Sequence, residues 1–422
     1  MFLKIKTLFN LNSDFSKNVL LLVTGTGVAA AIQILLSPIL TRIYTPKEFG
    51  VLGLYSACVS ILSVFSTGRY DLAIIEPKQD RVARMLMIIS LYLSIFFSIT
   101  IFLIIFFFNS FFVKILGEPD IEIWLYFLPI SVFSVSCYSV FSLWMNRRKM
   151  YKEMSMNKVV SSTSVLSLSL LIGFSKVLTG GLIIGYIVGQ FITIILLKNK
   201  ILKKDYSLNL KRKFVTMKNY LHYPKYLVPA TLASELSGSL PILLLTNFFS
   251  STITGFFSFA NRIVALPISL IGNAIGEVYR QKASEDYALY GNCESLFLQT
   301  LKKLAIMGII PFAVLFFGGE YLFRLAFGTE WVEAGRIAKY LSFMIFFQLI
   351  STPLAFTISF NRSQKYDMIL QFFRLLGSGL SFFVGYKLNS YILSISLYSA
   401  VFSSYYIMHS YIQYRAACGK IN

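Results

Sequence analysis

Long apolar stretches alternate with short, mostly basic interruptions along the whole chain. Stretches of roughly 18 to 24 residues, the length that crosses a bilayer core, recur about twelve times. They lie near 17–41, 48–68, 85–108, 124–145, 156–174, 178–197, 227–249, 255–276, 304–324, 337–358, 367–386 and 391–412. None shows the every-second-residue alternation of a membrane barrel strand, and lipid offers the backbone no hydrogen-bond partners, so each is predicted to be a helix. The longest polar, basic interruption, 198–226, divides the spans six and six. The expected organisation is an all-α polytopic membrane protein: an amphipathic N-terminal segment 1–16, a first six-helix bundle 17–197, a cytoplasmic linker 198–226 and a second bundle 227–422.

The two sets of spans repeat one order of signals. Ser37-Pro-Ile-Leu40 answers Leu240-Pro-Ile-Leu243, and each is followed by a short loop and a span opening at Gly50 or Gly255. Further on, ILGEPD from Ile115 answers AFGTEW from Ala326, and WMNRRKMY from Trp144 answers SFNRSQKY from Ser359. Six spans per repeat return the chain to its starting side, so the repeat is parallel, about an axis along the membrane normal. Pro38 and Pro241 occupy matching places; proline removes a helix hydrogen bond and crowds the preceding turn, which makes the pair candidate hinges or ordinary membrane prolines. Gly181, Gly185 and Gly189, at four-residue spacing, predict close approach of span six to a neighbour, and Gly272 and Gly276 the same for span eight.

Composition agrees: 56% of the 422 residues are hydrophobic and 14% charged, with a mean hydropathy of +0.68. The net charge of +20 raises nucleic acid as a partner, yet the basic residues fall in runs between apolar segments rather than on one face, and membrane topology accounts for them instead. With the N-terminus inside, 29 of the 39 Lys and Arg lie on the cytoplasmic side and both termini are cytoplasmic. Cys58 and Cys137 then fall within spans while Cys293 and Cys418 face the cytoplasm, so no disulfide is expected.

Ionisable groups deep within spans are functional candidates by default. Arg262 in span eight has no acidic residue near it in its own span; it is an interhelical clamp or, on the favoured reading, a cavity-facing ligand for an anion such as phosphate, which suits the guanidinium fork. Arg374 in span eleven either snorkels, pairs, or lines a cavity. Glu235 in span seven either neutralises an arginine or carries a coupling proton or Na+. Arg69 and Asp71, closing span two, read as a solvated boundary pair or a cytoplasmic gate, and Glu320 with Arg324 as an exposed i,i+4 pair. His222 and His409 are isolated in sequence, and no metal cluster, phosphate loop or catalytic triad is evident.

SPILTRIYTPKEFGVLGLY, FSTGRYDLAIIEP, FANRIVALPISLIGNAIGEVYRQKAS and FGTEWVEAGRIAKYL together resemble the multidrug/oligosaccharidyl-lipid/polysaccharide exporters over nearly the whole chain, and within them the bacterial polysaccharide flippases that include O-antigen flippases. The resemblance implies two six-helix bundles around a central cavity and a polyprenyl diphosphate-linked oligosaccharide as cargo, moved to the outer leaflet of the bacterial inner membrane for O-antigen, capsule or exopolysaccharide. It implies no cofactor beyond a proton or Na+, and as partners the lipid bilayer and other polysaccharide-assembly proteins. Ala260, Arg262 and Pro267 match a cavity-arginine motif of the related peptidoglycan-precursor flippases, while Leu36 and Ser37 stand where those relatives carry an Arg-Asp pair, a departure that favours a glycan cargo. The rival expectations are a multidrug cation antiporter of the same superfamily, which calls for acidic residues deep in the first bundle, and a glycan polymerase or ligase, which calls for a large outer loop.

Overall fold

The computed structural model describes residues 14–175, 180–201, 210–360 and 364–419; most of the expected N-terminal amphipathic segment lies outside the described residues. Twelve helices among them are long and apolar enough to cross a membrane, and no strand occurs among them. The protein is a multi-pass membrane protein. The spanning helices are α1 (Asp14–Ile43), α2 (Pro46–Ser66), α3 (Asp80–Leu116), α4 (Leu128–Arg147), α5 (Tyr151–Ser175), α6 (Gly181–Ile201), α7 (Val228–Phe248), α8 (Ser251–Tyr290), α9 (Glu294–Phe327), α10 (Val332–Ser351), α11 (Gln364–Lys387) and α12 (Tyr391–Ala417).

Several helices outrun the expected spans. α3 continues to Leu116 past a break at Phe108, α8 continues to Tyr290, and α10 passes into a 3-10 stretch, Thr352–Ser359. Pro38 and Pro241 both lie inside uninterrupted helices. Hydroxyls bond to carbonyls nearby, Ser37 to the Gln33 carbonyl at 2.5 Å and Ser237 to that of Ala233 at 2.9 Å. Such back-bonding satisfies the hydroxyls where lipid offers no partner.

Packing divides the chain into two compact units, one of Thr24–Gly255 and one holding Phe256–Asn422. In the first, α2 starts on a capping box, with Thr45 and Glu48 bonding reciprocally and Pro46 in the first turn. One core gathers Leu54, Tyr55, Leu125, Leu128 and Val132 near the 117–127 loop; a second gathers Ala73, Leu86, Met87, Phe141 and Trp144 at the opposite end. Small residues let backbones meet: a Cβ on Gly189 would lie 2.5 Å from a Val165 methyl, so α6 lies hard against α5, as the glycine spacing predicts.

The tightest approach joins repeat-related positions. A Cβ on Gly50 would lie 1.8 Å from the Ser251 carbonyl oxygen, and one on Gly255 would lie 1.7 Å from that of Pro46. The signal that marks both span openings is a reciprocal backbone contact that tolerates no side chain. In the second unit, Tyr279, Phe297, Leu304 and Leu354 form the core, and Gly276 passes close to Pro353.

Candidate functional site

The first unit holds three of the sequence-derived candidates together. α2 ends in Thr67-Gly68-Arg69, where Gly68 and Arg69 both take left-handed backbone (φ 55° and 58°). A non-glycine residue there costs about 1–2 kcal/mol, a strain that clusters at functional positions. The double reversal turns Asp71 back into the bundle, 1% exposed, where its two carboxylate oxygens accept from the hydroxyls of Thr67 and Ser139, both at 2.8 Å. Asp71 is therefore not half of a solvated boundary pair. Its charge is stabilised by hydroxyl donors on α4 and on its own turn, the alternative to an ion pair when water is excluded.

Beside it lies a cavity of about 240 Å³ lined by Ser60, Ser63, Arg69, Asp71, Ser139 and Glu235, among others. Glu235 reaches it from α7, so the coupling candidate and the two gate candidates share one polar pocket. Arg69 Nε is buried there and makes no hydrogen bond among the described residues. The pocket floor belongs to a polar seam between α2 and α4, in which Tyr55 meets Ser131 at 2.6 Å and Ser66 meets Ser136.

Sequence reasoning missed the clasp behind this pocket. Arg147, only 11% exposed, donates to the Ile74, Ile75 and Lys78 carbonyls and to Asp80 at 3.0 Å, closing the end of the short 3-10 helix Leu72–Ile75. Arg84 and Arg148 both lie over Trp144, at 5.1 and 5.2 Å from the ring centroid. Residue identity does not announce this clasp, because three of Arg147's four partner residues offer backbone carbonyls.

The second unit treats its cation differently. Arg374 on α11 does not snorkel freely: its guanidinium lies 5.4 Å from the Phe402 ring and 5.1 Å from that of Tyr405, both on α12. Tyr405 in turn stacks on His409 at 5.4 Å. His409, isolated by sequence spacing, is buried in a network: its Nδ1 lies 2.8 Å from both the Ser351 hydroxyl and the Gln413 amide nitrogen, which also donates to the Ser351 carbonyl. Glu320 bonds Arg336 at 3.3 Å instead of the expected Arg324, and Arg336 also pairs with Glu333 at 2.9 Å.

Arg262 lies on α8, half-buried, between the buried Ala260 and Val264. The four cysteines are free, and no group of three His, Cys, Asp or Glu among the described residues converges to hold a metal.

A family profile described as polysaccharide biosynthesis protein matches residues 39–336. None of the curated protein sequences compared with the chain matches it. Among solved structures the fold is similar to that of a lipid II flippase, MurJ, in an inward closed conformation, with a TM-score of 0.73, 13% identity, and 93% of this chain and 90% of that one covered. It is also similar to an outward-facing multidrug resistance transporter of the MATE family in the MOP superfamily, with a TM-score of 0.65, 14% identity and coverage of 96% and 97%. A MOP superfamily transporter from Pyrococcus furiosus matches with a TM-score of 0.61, 14% identity and the same coverage. Likenesses at this identity establish the shared fold.

Proposed function

This chain belongs to the polysaccharide biosynthesis protein family, and we propose that it flips a polyprenyl diphosphate-linked oligosaccharide from the cytoplasmic to the outer leaflet of a bacterial inner membrane by alternating access. The cargo would serve O-antigen, capsule or exopolysaccharide synthesis. The protein acts as a transporter, not an enzyme. A sugar hydroxyl costs several kcal/mol in hydrocarbon without a partner, and a diphosphate costs more; a polar path through the helices removes that barrier. Arg262, helped by Arg374, holds the diphosphate, and the prenyl tail stays in lipid.

The observation that carries this reading is a family match spanning most of the chain together with arginines kept within membrane-length helices, α8 and α11. The fold shared with a lipid II flippase supports it. With the inside negative, each anionic charge moved outward gains about 2.3 kcal/mol per 100 mV, so export runs with the field. Glu235, in its pocket with Arg69 and Asp71, is the group for proton or Na+ coupling, and Pro38 and Pro241 are the hinges.

One observation favours a second reading. Two carboxylates converge on one pocket, Asp71 from the close of the first bundle's second span and Glu235 from the second bundle's first span, the kind of acidic group a multidrug cation antiporter calls for. A deletion strain separates the two: lipid-linked oligosaccharide accumulating on the cytoplasmic side, by mass spectrometry, supports the flippase, while heightened drug sensitivity with normal surface glycan supports the antiporter.

A further inference from the structure

At the loop end of the first unit, opposite the Arg69 pocket, a cavity of about 490 Å³ opens between the starts of α2 and α6 and the 117–127 loop. Its floor is apolar and buried, made by Val51, Leu182 and Ile183. One wall is Trp124, whose indole packs against the backbone of Gly180: a Cβ there would lie 1.9 Å from Trp124 Cζ2. Gly180 has φ +81°, which fits a residue without a side chain. The rim carries Lys47, Glu48, Asp120 and Glu122. Lys47 pairs with Asp120 at 2.6 Å, Glu48 is engaged in the Thr45 cap, and the exposed Glu122 carboxylate has no partner among the described residues.

The second repeat fills the corresponding place. One residue on from the repeat-related Gly50 and Gly255 stand Val51 and Phe256; three on from Gly117 and Gly328 stand Asp120 and Trp331. Trp331 is fully buried against Phe256 and Phe259, with ring centroids 6.0 and 4.4 Å apart. The fold closes this corner when given large side chains, so the opening in the first repeat follows from small and polar residues at Val51 and Asp120 and is not imposed by the backbone.

We infer that this cavity binds the saccharide headgroup of the cargo at the outer face, and that it takes uncharged or amino-bearing sugars in preference to acidic ones. The inference rests on the flippase reading above. An aromatic wall and apolar floor suit the C–H face of a pyranose, and carboxylates accept pairs of its hydroxyls, the mix of apolar lining and few oriented polar groups that marks a small-molecule site. Three rim carboxylates against one lysine repel a uronate. The same carboxylates do not form a metal cage, since no metal-holding cluster occurs among the described residues.

Trp144 and Trp331 are buried and Trp124 is half-buried, so quenching of tryptophan emission by acrylamide in the full chain, in nanodiscs, reports chiefly on Trp124. The probes are N,N′-diacetylchitobiose, chitosan disaccharide and digalacturonate, each up to tens of millimolar. The neutral and amino sugars are expected to protect the emission from quenching and the uronate not to; Trp124→Phe removes the signal. Glu122→Gln, an exposed change, raises the half-saturating concentration about tenfold, the loss of one charge-assisted hydrogen bond, and Val51→Phe, copying the second repeat, abolishes protection. No protection by any of the three sugars, or protection unchanged in both variants, overturns the site and leaves Trp124 as an interfacial anchor. Because free sugars are used, that failure leaves Arg262-dependent glycan export standing. Conversely, protection in a protein whose Arg262→Ala variant still exports glycan at the full rate removes the role given to Arg262 alone.

Discussion

The two units hold their intramembrane charges in different surroundings. The first sets Asp71 among hydroxyls and brings Arg69 and Glu235 to a serine-lined cavity; the second lays Arg374 over two aromatic rings and buries Trp331 where the first has Asp120. The repeat has kept its backbone signals, the paired prolines and the glycines at span openings, all within the first unit, while the position three residues past the matched Gly117 and Gly328 has diverged from Asp120 to Trp331. Backbone contacts between helices tolerate little change, whereas a charge can be stabilised by hydroxyls or by ring faces. The asymmetry distinguishes the two units: a serine-lined pocket with Arg69, Asp71 and Glu235 in one, a guanidinium over aromatic rings in the other.

The part both repeats share breaks first. Gly50→Val is expected to abolish accumulation of folded protein, since its Cβ would overlap the Ser251 carbonyl, whereas Gly27→Ala, with open space around the Cβ, leaves yield unchanged; size-exclusion profiles in detergent compare them. The diverged corner comes next. Trp331→Ala should cost about 3–5 kcal/mol of stability, but Asp120→Ala, at the corresponding exposed ion pair, less than about 1 kcal/mol. Equal losses in thermal unfolding would erase the distinction drawn between the repeats.

Asp71→Ala leaves the Thr67 and Ser139 hydroxyls without their acceptor and should cost about 2–3 kcal/mol. Asp71→Asn should lose less, because its amide retains one acceptor oxygen, and the order of the two in a melting series checks the hydroxyl account. The smallest structural effect falls on Arg374: Arg374→Lys keeps the charge over Phe402 and Tyr405 and should lower stability by about 1 kcal/mol or less. Arg374→Leu should leave the fold intact and lower glycan export, read as surface glycan per folded protein.

Much of this was legible in the hydropathy pattern. Twelve spans, the repeat and the close packing at Gly189 all follow from residue order, because length and small-residue spacing are local properties. Helix ends were less so. α3 and α8 run past their apolar stretches to Leu116 and Tyr290, since a helix does not stop where hydropathy falls. Tertiary partners escaped altogether: Glu320 finds Arg336 on the neighbouring helix rather than Arg324 on its own, and His409 finds Ser351 on another span. At the candidate site, Arg69, Asp71 and Glu235 could be picked out singly as charges near or within spans. Their convergence could not, because α7 brings Glu235 from more than 160 positions along the chain.

The central claim is that Arg262 is retained within α8 to hold a diphosphate. Its most direct test is surface glycan in a deletion strain carrying Arg262→Ala or Arg262→Lys, with folded protein quantified and lipid-linked oligosaccharide measured in the same cells. The account predicts at least a tenfold loss with alanine, the worth of about one charge-assisted contact, partial retention with lysine, and accumulation of the lipid-linked precursor. Undiminished surface glycan with alanine at normal protein levels would contradict it.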